Sequence, residues 1–322
     1  MRYLVTGATG FIGQRLIGHL TGGGHEVTAL VRDAGRRVPA AARRVPGART
    51  AQGDLVTGAG LTTAVEEAEC VIHLAGATAA ATSRGYATVN VDGTRRLCAA
   101  LAVLPRPPRL VHCSSLAALG PGRLLRESAR PAPVSAYGRS KLGGERAVRA
   151  VADRVPGVVV RPPIVYGPGD REFVPRLVKA VRAGWLPAVG GPGPRHYSLV
   201  HVDDLCRGLL RAAESGVPGT TYHVSDGVEH RWEDIGAAVA RTLGRQPPRV
   251  RHIPRPLAAP VARLAQLTGT SVVNRDKVAE AVHPAWTCAT EHPERSWGFS
   301  PSVTLDEGLA SVLAPYADAR KG

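Results

Sequence analysis

Over residues 1–165 the chain alternates short apolar runs rich in Val, Ile and Leu with longer segments that carry apolar residues at helical spacing. The runs are YLVTG (3–7), EVTALV (26–31), CVIHLAG (70–76), RLVHCSS (109–115) and GVVVRPP (157–163). Between them lie 11–22, 61–68, 88–104 and 137–154; in the first, Ile12, Leu16, Ile17 and Leu20 share one helical face. Strands that are apolar along their whole length must be covered on both faces. Helices alternating with strands supply that cover, and right-handed crossovers then give an α/β fold with a doubly wound parallel sheet. After 165 the alternation fades. YGPGD and VGGPGPRHY read as Gly/Pro-rich loops around a helix at 172–184. YSLVHVDDL and TTYHVSDG read as two more strands, the first leading into a helix at 203–214. From 231 the chain reads as mostly helical. The expected organisation is a first domain over 1–165, rejoined by 196–225, and a smaller, mostly helical lobe made of 166–195 and 226–322.

The segment VTGATGFIG (5–13) ends the first strand and opens the first helix, with Gly7, Gly10 and Gly13 spaced G-x-x-G-x-x-G. Glycines at a first βα turn let a pyrophosphate approach the helix N-terminus, where N–H groups and the helix dipole favour negative charge. In this context the motif points to a dinucleotide. The residue that reads the adenosine ribose belongs about twenty residues further on. Arg32 stands there, nineteen residues after Gly13, with Val31 before it, Asp33 after it and Arg36 and Arg37 close behind. An acid at that place accepts from a 2′-hydroxyl and repels a 2′-phosphate. A guanidinium holds the phosphate by charge and fork geometry. NADP (as NADPH) is therefore the preferred cofactor, with NAD retained as the alternative because Asp33 is beside the arginine.

YGRSK (137–141) puts Tyr137 and Lys141 at i and i+4 of a helix, hence on one face. A phenol with an ordinary pKa of about 10 exchanges protons poorly near neutrality. A nearby ammonium is expected to favour the phenolate and lower that value. HCSS (112–115) ends a strand upstream, where strand ends of such sheets border the ligand crevice and a serine hydroxyl can bond a carbonyl.

Bulk properties exclude several classes. The formal charge is +15, but the arginines are spread along the chain and only three Phe are present, so no basic stretch interleaves with aromatics as a nucleic-acid platform requires. No apolar window is long enough to span a membrane. The five cysteines, at 70, 98, 113, 206 and 288, form no CxxC pair and no zinc spacing. The reading is a cytoplasmic protein with reduced thiols, no metal, no nucleic-acid partner and no membrane association. A homodimer is left open.

The chain resembles the extended short-chain dehydrogenase/reductase superfamily, also called the NAD-dependent epimerase/dehydratase family. The resemblance rests on the glycine motif, GDL (53–55), HLAG (73–76), NVDGT (90–94), SS (114–115), YGRSK, RPPIVYGPG (161–169) and VHVDDL (200–205). It implies a Rossmann fold and a set of residue roles. Ser115, with Ser114 as the second choice, would be the catalytic serine, Tyr137 the acid/base and Lys141 its electrostatic partner. Gly7, Thr9, Gly10, Phe11, Ile12 and Gly13 would cradle the cofactor, Arg32 would meet its ribose, and Asp54 and Leu55 its adenine. Leu74, Ala75 and Gly76 would run along it. Asn90 would be structural or near it, and Pro162 and Ile164, with Tyr137 and Lys141, would flank the nicotinamide.

Members that act on nucleotide sugars carry Asn where Ile164 stands, and an Arg where Tyr197 stands, with Arg195 two residues earlier. The resemblance therefore implies an NAD(P)-dependent oxidoreductase that reduces the carbonyl of a small hydrophobic substrate. The alternatives are a nucleotide-sugar epimerase or dehydratase with tightly held NAD, and a non-catalytic dinucleotide-binding protein. Arg171, Arg176 and Arg195 leave room for an anionic tail. Trp185, Trp286 and Trp297 are candidates to line the substrate lobe. His73, His112 and His201 read as framework residues, and Asp203 and Asp204 as helix caps.

Overall fold

The computed structural model describes residues 1–32, 46–258, 260, 275–289 and 297–317. Asp33, Arg36 and Arg37 lie outside the described residues. In the first part of the chain, β1 (Arg2–Thr6), α1 (Phe11–Gly22), β2 (Glu26–Val31), β3 (Arg49–Gln52), α2 (Leu61–Glu66) and β4 (Cys70–His73) alternate as expected, with β3 an addition. Next comes α3 (Ser83–Ala87), which passes through a π-helical turn (Thr88–Gly93) into α4 (Thr94–Ala102). Then follow β5 (Arg109–Cys113), a 3₁₀ turn (Leu116–Ala118), β6 (Gly122–Leu125), α5 (Ala136–Arg149), β7 (Gly157–Arg161) and β8 (Ile164–Tyr166). The remainder contains α6 (Phe173–Arg182), β9 (Trp185–Val189), β10 (His196–Tyr197), β11 (Leu199–His201), α7 (Val202–Ser215), β12 (Thr221–His223) and β13 (His230–Arg231). It ends with α8 (Trp232–Thr242), β14 (Arg249–Ile253), α9 (Arg275–Ala281), β15 (Ala285–Cys288) and α10 (Leu305–Ala317).

Seven strands form one parallel sheet in the order β12-β7-β5-β4-β1-β2-β3. Alternate residues of its central strands feed two cores. Tyr3, Val5, Val111, Val158 and Val160 pack with Leu16, Ile17 and Leu20 of α1 and Leu205 and Leu209 of α7. Leu4, Leu110 and Val159 pack with Leu97 and Leu101 of α4 and Val148 of α5. Each fully buried Val or Leu contributes roughly 1.5–3 kcal/mol, so a polar residue on either face is strongly disfavoured. This is the Rossmann arrangement, a sheet covered by helices on both faces. A third core joins Leu177, Val178 and Val181 of α6, Leu186 of β9, Ile235 and Val239 of α8, and Leu309 and Leu313 of α10. Three small sheets, β13-β10-β15-β6, β11-β8 and β14-β9, knit this second region. The sequence hid several of these strands because two to five residues give too short a window for a period.

The parallel sheet brings the C-terminal ends of β1, β4 and β5 together, with Thr6 opposite His73 and His73 opposite His112. Two sequence readings change here. The helix α7 is capped by His201, whose ring accepts from the Asp203 N–H, rather than by the aspartates. Asp203 instead binds Arg15 (2.5 Å) and His19 (2.8 Å) of α1, and buried Asp204 accepts from the N–H groups of Ser302 and Val303. Trp297 is the second change: it stacks on Tyr222 at 4.3 Å within the main core.

Among the described residues no helix is long and apolar enough to cross a membrane, and none of the His, Cys, Asp and Glu residues cluster as metal ligands. All five cysteines are buried and free.

Candidate active site

The glycine turn has the shape the sequence asks of it. Gly7 adopts φ +70°, and a Cβ there would lie 2.7 Å from the Ala75 amide nitrogen. A Cβ on Gly13 would lie 2.2 Å from the Gly7 carbonyl oxygen, so α1 can seat against the turn only through hydrogen. The first turn of α1 carries no acid, and its N-cap, Gly10, supplies no side-chain bond. Amides at this N-terminus therefore keep their capacity for an anion, and the residues present fit a dinucleotide pyrophosphate.

Behind the turn a polar chain fixes the neighbouring strand ends. The Thr6 hydroxyl meets His73 Nδ1 at 2.6 Å and accepts from the Ala75 N–H at 3.1 Å. The other nitrogen of His73 meets the Thr94 hydroxyl at 3.0 Å. Burial holds the His73 imidazole neutral, its pKa pushed down to about 3, with the Lys141 charge acting in the same sense. Asn90, in the π-helical turn, accepts from the Ala77 N–H (2.7 Å) and donates to the Ala77 carbonyl (3.0 Å) and the Ser140 hydroxyl (2.8 Å). It thus ties the 76–77 segment to α5.

The two serines of HCSS differ in what they do. Ser114 is buried and donates to Glu145 Oε1 at 2.6 Å, while Arg161 grips both oxygens of the same carboxylate at 2.8 and 2.7 Å. Ser115 begins the 3₁₀ turn, accepts from the Ala117 N–H at 3.2 Å and reaches the Tyr137 hydroxyl. Lys141 is buried and donates to the Cys113 carbonyl at 2.6 Å. Tyr137 packs on Tyr86 with ring centroids 6.0 Å apart. Burial raises its phenol pKa well above the usual value, opposed in part by the Ser115 hydroxyl. The expectation that Lys141 lowers this pKa is therefore not met in the present arrangement. Desolvation wins, and the Lys141 ammonium is directed to a carbonyl. Burial also lowers the pKa of Lys141 itself.

A cleft of about 1100 Å³ joins these parts. Gly7, Thr9, Gly10, Phe11, Ile12, Gly13, Leu74, Gly76, Ser115, Tyr137, Lys141, Pro162 and Ile164 all border it. Four expected cofactor residues do not. Arg32 is exposed immediately after β2. Asp54 and buried Leu55 follow β3, where the Asp54 carboxylate accepts from the Val56 N–H at 2.8 Å. Ala75 lies behind Gly7.

The far wall is apolar and aromatic, made by Phe173, Leu177, Ala180, Tyr197, Trp232 and Trp286. Trp232 stands 5.4 Å from Tyr197 and 6.5 Å from Phe173, ring to ring, and its indole N–H is bonded to the Pro187 carbonyl at 3.1 Å. Arg171 and Arg176 also border the cleft. Arg195 does not serve an anion. It is buried and its guanidinium donates to the carbonyls of Ala281 (3.0 Å), His283 (3.2 Å) and Val189. Trp185 instead lies under Arg251, 5.7 Å from its ring centroid. Sequence reasoning missed Trp232 and the α9 residues Lys277 and Glu280, which border the cleft from far along the chain. Nothing in their local sequence marks them.

Comparisons with known proteins show what the chain is similar to. A sequence model described as the NAD dependent epimerase/dehydratase family matches residues 3–225. The chain is 33% identical to a ceramide reductase of Caulobacter vibrioides over 291 residues, spanning 88% of this chain and 84% of that one. It is 31% identical to the 4-hydroxy-2-methyl-3-oxo-4-farnesyl-3,4-dihydroquinoline-1-oxide ketoreductase of Stigmatella aurantiaca, covering 97% of this chain and 96% of the relative. Among solved structures it is similar to the dTDP-glucose 4,6-dehydratase DesIV of Streptomyces venezuelae, solved with NAD and TYD bound. The TM-score is 0.77 at 25% identity, over 99% of this chain and 98% of that one.

Proposed function

The chain belongs to the NAD dependent epimerase/dehydratase family and is an oxidoreductase, and we propose that it reduces the carbonyl of a small hydrophobic substrate with NADPH, through Ser115, Tyr137 and Lys141. The observation that supports this reading is that Ser115 and Tyr137 border the same cleft as the glycine turn and the aromatic side chains of Phe173, Tyr197 and Trp232. Ile164 supports it, because its side chain offers no hydrogen bond to a nucleotide sugar at the mouth of the cradle. The two named reductases support it too: ceramide and a farnesyl-bearing quinoline are both largely apolar.

In this reading residues 1–165 with 196–225 hold the cofactor, and 166–195 with 226–322 receive the substrate. Gly7, Gly10 and Gly13, with the α1 N-terminus, receive the pyrophosphate. Asp54 and Leu55, beyond the edge of the cleft, would meet the adenine, and exposed Arg32 would take the 2′-phosphate by charge and fork geometry. When bound, the reduced nicotinamide supplies the hydride. Ser115 donates a hydrogen bond to the carbonyl oxygen and orients it. Tyr137 gives that oxygen its proton as negative charge develops there. Tyr137 enters the reaction in this direction as the neutral phenol, the form that carries the proton to be given. Lys141, fixed on the Cys113 carbonyl, supplies positive charge that favours the phenolate once the proton has left. The aromatic wall excludes water and takes up the apolar part of the substrate.

The test is a panel of apolar ketones and aldehydes beside UDP- and dTDP-sugars, followed by NADPH absorbance and product analysis. Net NADPH oxidation with the ketones is expected. Conversion of sugar nucleotides without net cofactor consumption would replace this reading with an epimerase.

A further inference from the structure

The helix that carries Tyr137 and Lys141 is not capped by its own sequence alone. A helix start leaves N–H groups without intrahelical partners, and these must be met by side chains or water. Within α5, the Ser135 hydroxyl accepts from the Gly138 N–H at 2.9 Å and the Ser135 carbonyl from the Arg139 N–H at 3.0 Å. The remaining two amides, those of Ala136 and Tyr137, donate to Asp276 Oδ1 (3.0 Å) and Oδ2 (3.3 Å). Asp276 lies 139 positions along the chain from Tyr137, in α9. Glu280, one turn later, accepts from the Ser135 hydroxyl at 2.7 Å. Lys277, between them, sits 5.6 Å from the Tyr137 ring centroid and 3.5 Å from Glu280. The other end of α9 is held in turn, since Arg195 binds the carbonyls of Ala281 and His283.

We infer that Asp276 is a positioning residue for Tyr137: one carboxylate from the substrate lobe holds the backbone amide of the catalytic acid and of the residue before it. The inference rests on the assignment of Tyr137 as the acid. Two acceptors on one carboxylate tie down both the start of α5 and its rotation, and the phenol projects from the second residue of that helix. The same short helix borders the cleft through Lys277 and Glu280. Contacts made there by a substrate are thus one residue removed from the group that sets the acid's place. Loss of the carboxylate lets the first turn fray and moves the phenol off the carbonyl oxygen. A displacement of the order of 1 Å at a reacting group costs up to roughly 10²-fold in rate.

The experiment compares wild type with Asp276→Ala and Asp276→Asn as full-length proteins. Amide hydrogen exchange at residues 136–138 is read first, since it needs no substrate. Both variants are expected to exchange faster at Ala136 and Tyr137, with the rest of α5 unchanged. Turnover is then read on whichever arm of the substrate panel reacts. Asp276→Ala is expected to lose about tenfold in kcat, with the KM for NADPH unchanged. Asp276→Asn, which keeps one carbonyl acceptor, should recover part of that loss. Unchanged exchange at Tyr137 overturns the inference whatever the substrate proves to be. Faster exchange with unchanged kcat also overturns it, leaving a cap that stabilises the helix without placing the acid. If sugar nucleotides react instead of ketones, the reductase reading falls, while exchange and kcat still decide the role of Asp276. Should Asp276→Ala fail to fold, the Asn variant carries both readouts.

Discussion

Ser114 and Ser115 are adjacent yet belong to different parts of the molecule: the first bonds the buried Glu145 carboxylate at 2.6 Å, the second reaches the Tyr137 hydroxyl. Substitution should separate them. Ser115→Ala is expected to lower turnover by roughly 10²-fold while leaving NADPH binding intact, because it removes a donor aimed at the reacting oxygen. Ser114→Ala removes one bond from a carboxylate that still holds Arg161, and should cost about 1–2 kcal/mol of stability with kcat little changed. Steady-state kinetics and urea unfolding of the two variants give the comparison. A larger kinetic loss at Ser114 would reverse the assignment.

Tyr137→Phe should reduce turnover by roughly 10²–10⁴-fold, the usual scale for a positioned acid, with little change in cofactor affinity. Lys141→Ala should impair both, since its ammonium stands close to Gly76 in the cofactor cleft as well as on the tyrosine's face of α5. Near-wild-type turnover in Tyr137→Phe would remove the acid from the mechanism.

Arg32 directly follows β2 and is exposed, in the place where an acid would select NAD. Arg32→Ala is expected to weaken NADPH binding by about tenfold, the value of a charge-assisted bond to phosphate, while NADH binding stays nearly constant. Titrating both proteins with both nucleotides measures this directly. Tighter binding of NADH by the wild type would assign the chain to NAD.

Buried histidines are expected to make stability sensitive to acid. Burial holds the His73 pKa down to about 3 and that of His112 well below its ordinary 6.5. In this range the unfolded chain binds more protons than the folded one, so stability rises with pH. The contribution is fully present above the unfolded value of 6.5 and is lost as pH falls from there toward the folded values. Urea midpoints should therefore drop steadily between about pH 7 and about pH 4, with a flatter profile in His112→Leu. A His112→Leu profile parallel to wild type would show that other groups carry the acid sensitivity.

The sequence was most legible where the chain is most regular. β1, β2, β4, β5 and β7 stand within three residues of the apolar runs that predict them, because a strand buried on both faces leaves a continuous signal. The glycine turn was equally plain, since the close approaches of Gly7 and Gly13 exclude any side chain. The resemblance ranked Ser115 ahead of adjacent Ser114, but spacing supplied no physical reason for it; what divides them is the partner each meets from α5. Helical spacing gave the proximity of Lys141 to Tyr137 but not the burial that raises the phenol's pKa. The substrate wall was least legible. Phe173, Tyr197, Trp232 and Lys277 come from four separate elements, and no local period connects them.

That wall gives the most direct handle on specificity. Trp232 is its centre, packed between Phe173 and Tyr197 and fixed by its N–H on the Pro187 carbonyl. An indole held by a hydrogen bond at its N–H and flanked by two tilted rings has reduced freedom, so it offers a firm surface to an apolar substrate. Truncation removes that surface but touches neither the glycine cradle nor Ser115, Tyr137 and Lys141. Trp232→Ala should therefore raise the KM for ketones with long or ring-bearing apolar groups by roughly 10-fold or more, the equivalent of one to two buried methylenes of contact. Short ketones that do not reach the wall should keep their KM, and kcat should stay near wild type for both. Trp232→Phe should restore most of the loss, since the missing N–H bonds only a backbone carbonyl. Measuring KM across a series of increasing apolar length in all three proteins separates the outcomes. An equal rise for short and long ketones would mean that Trp232 acts on the fold of the lobe, and that the apolar part of the substrate lies elsewhere in the cleft.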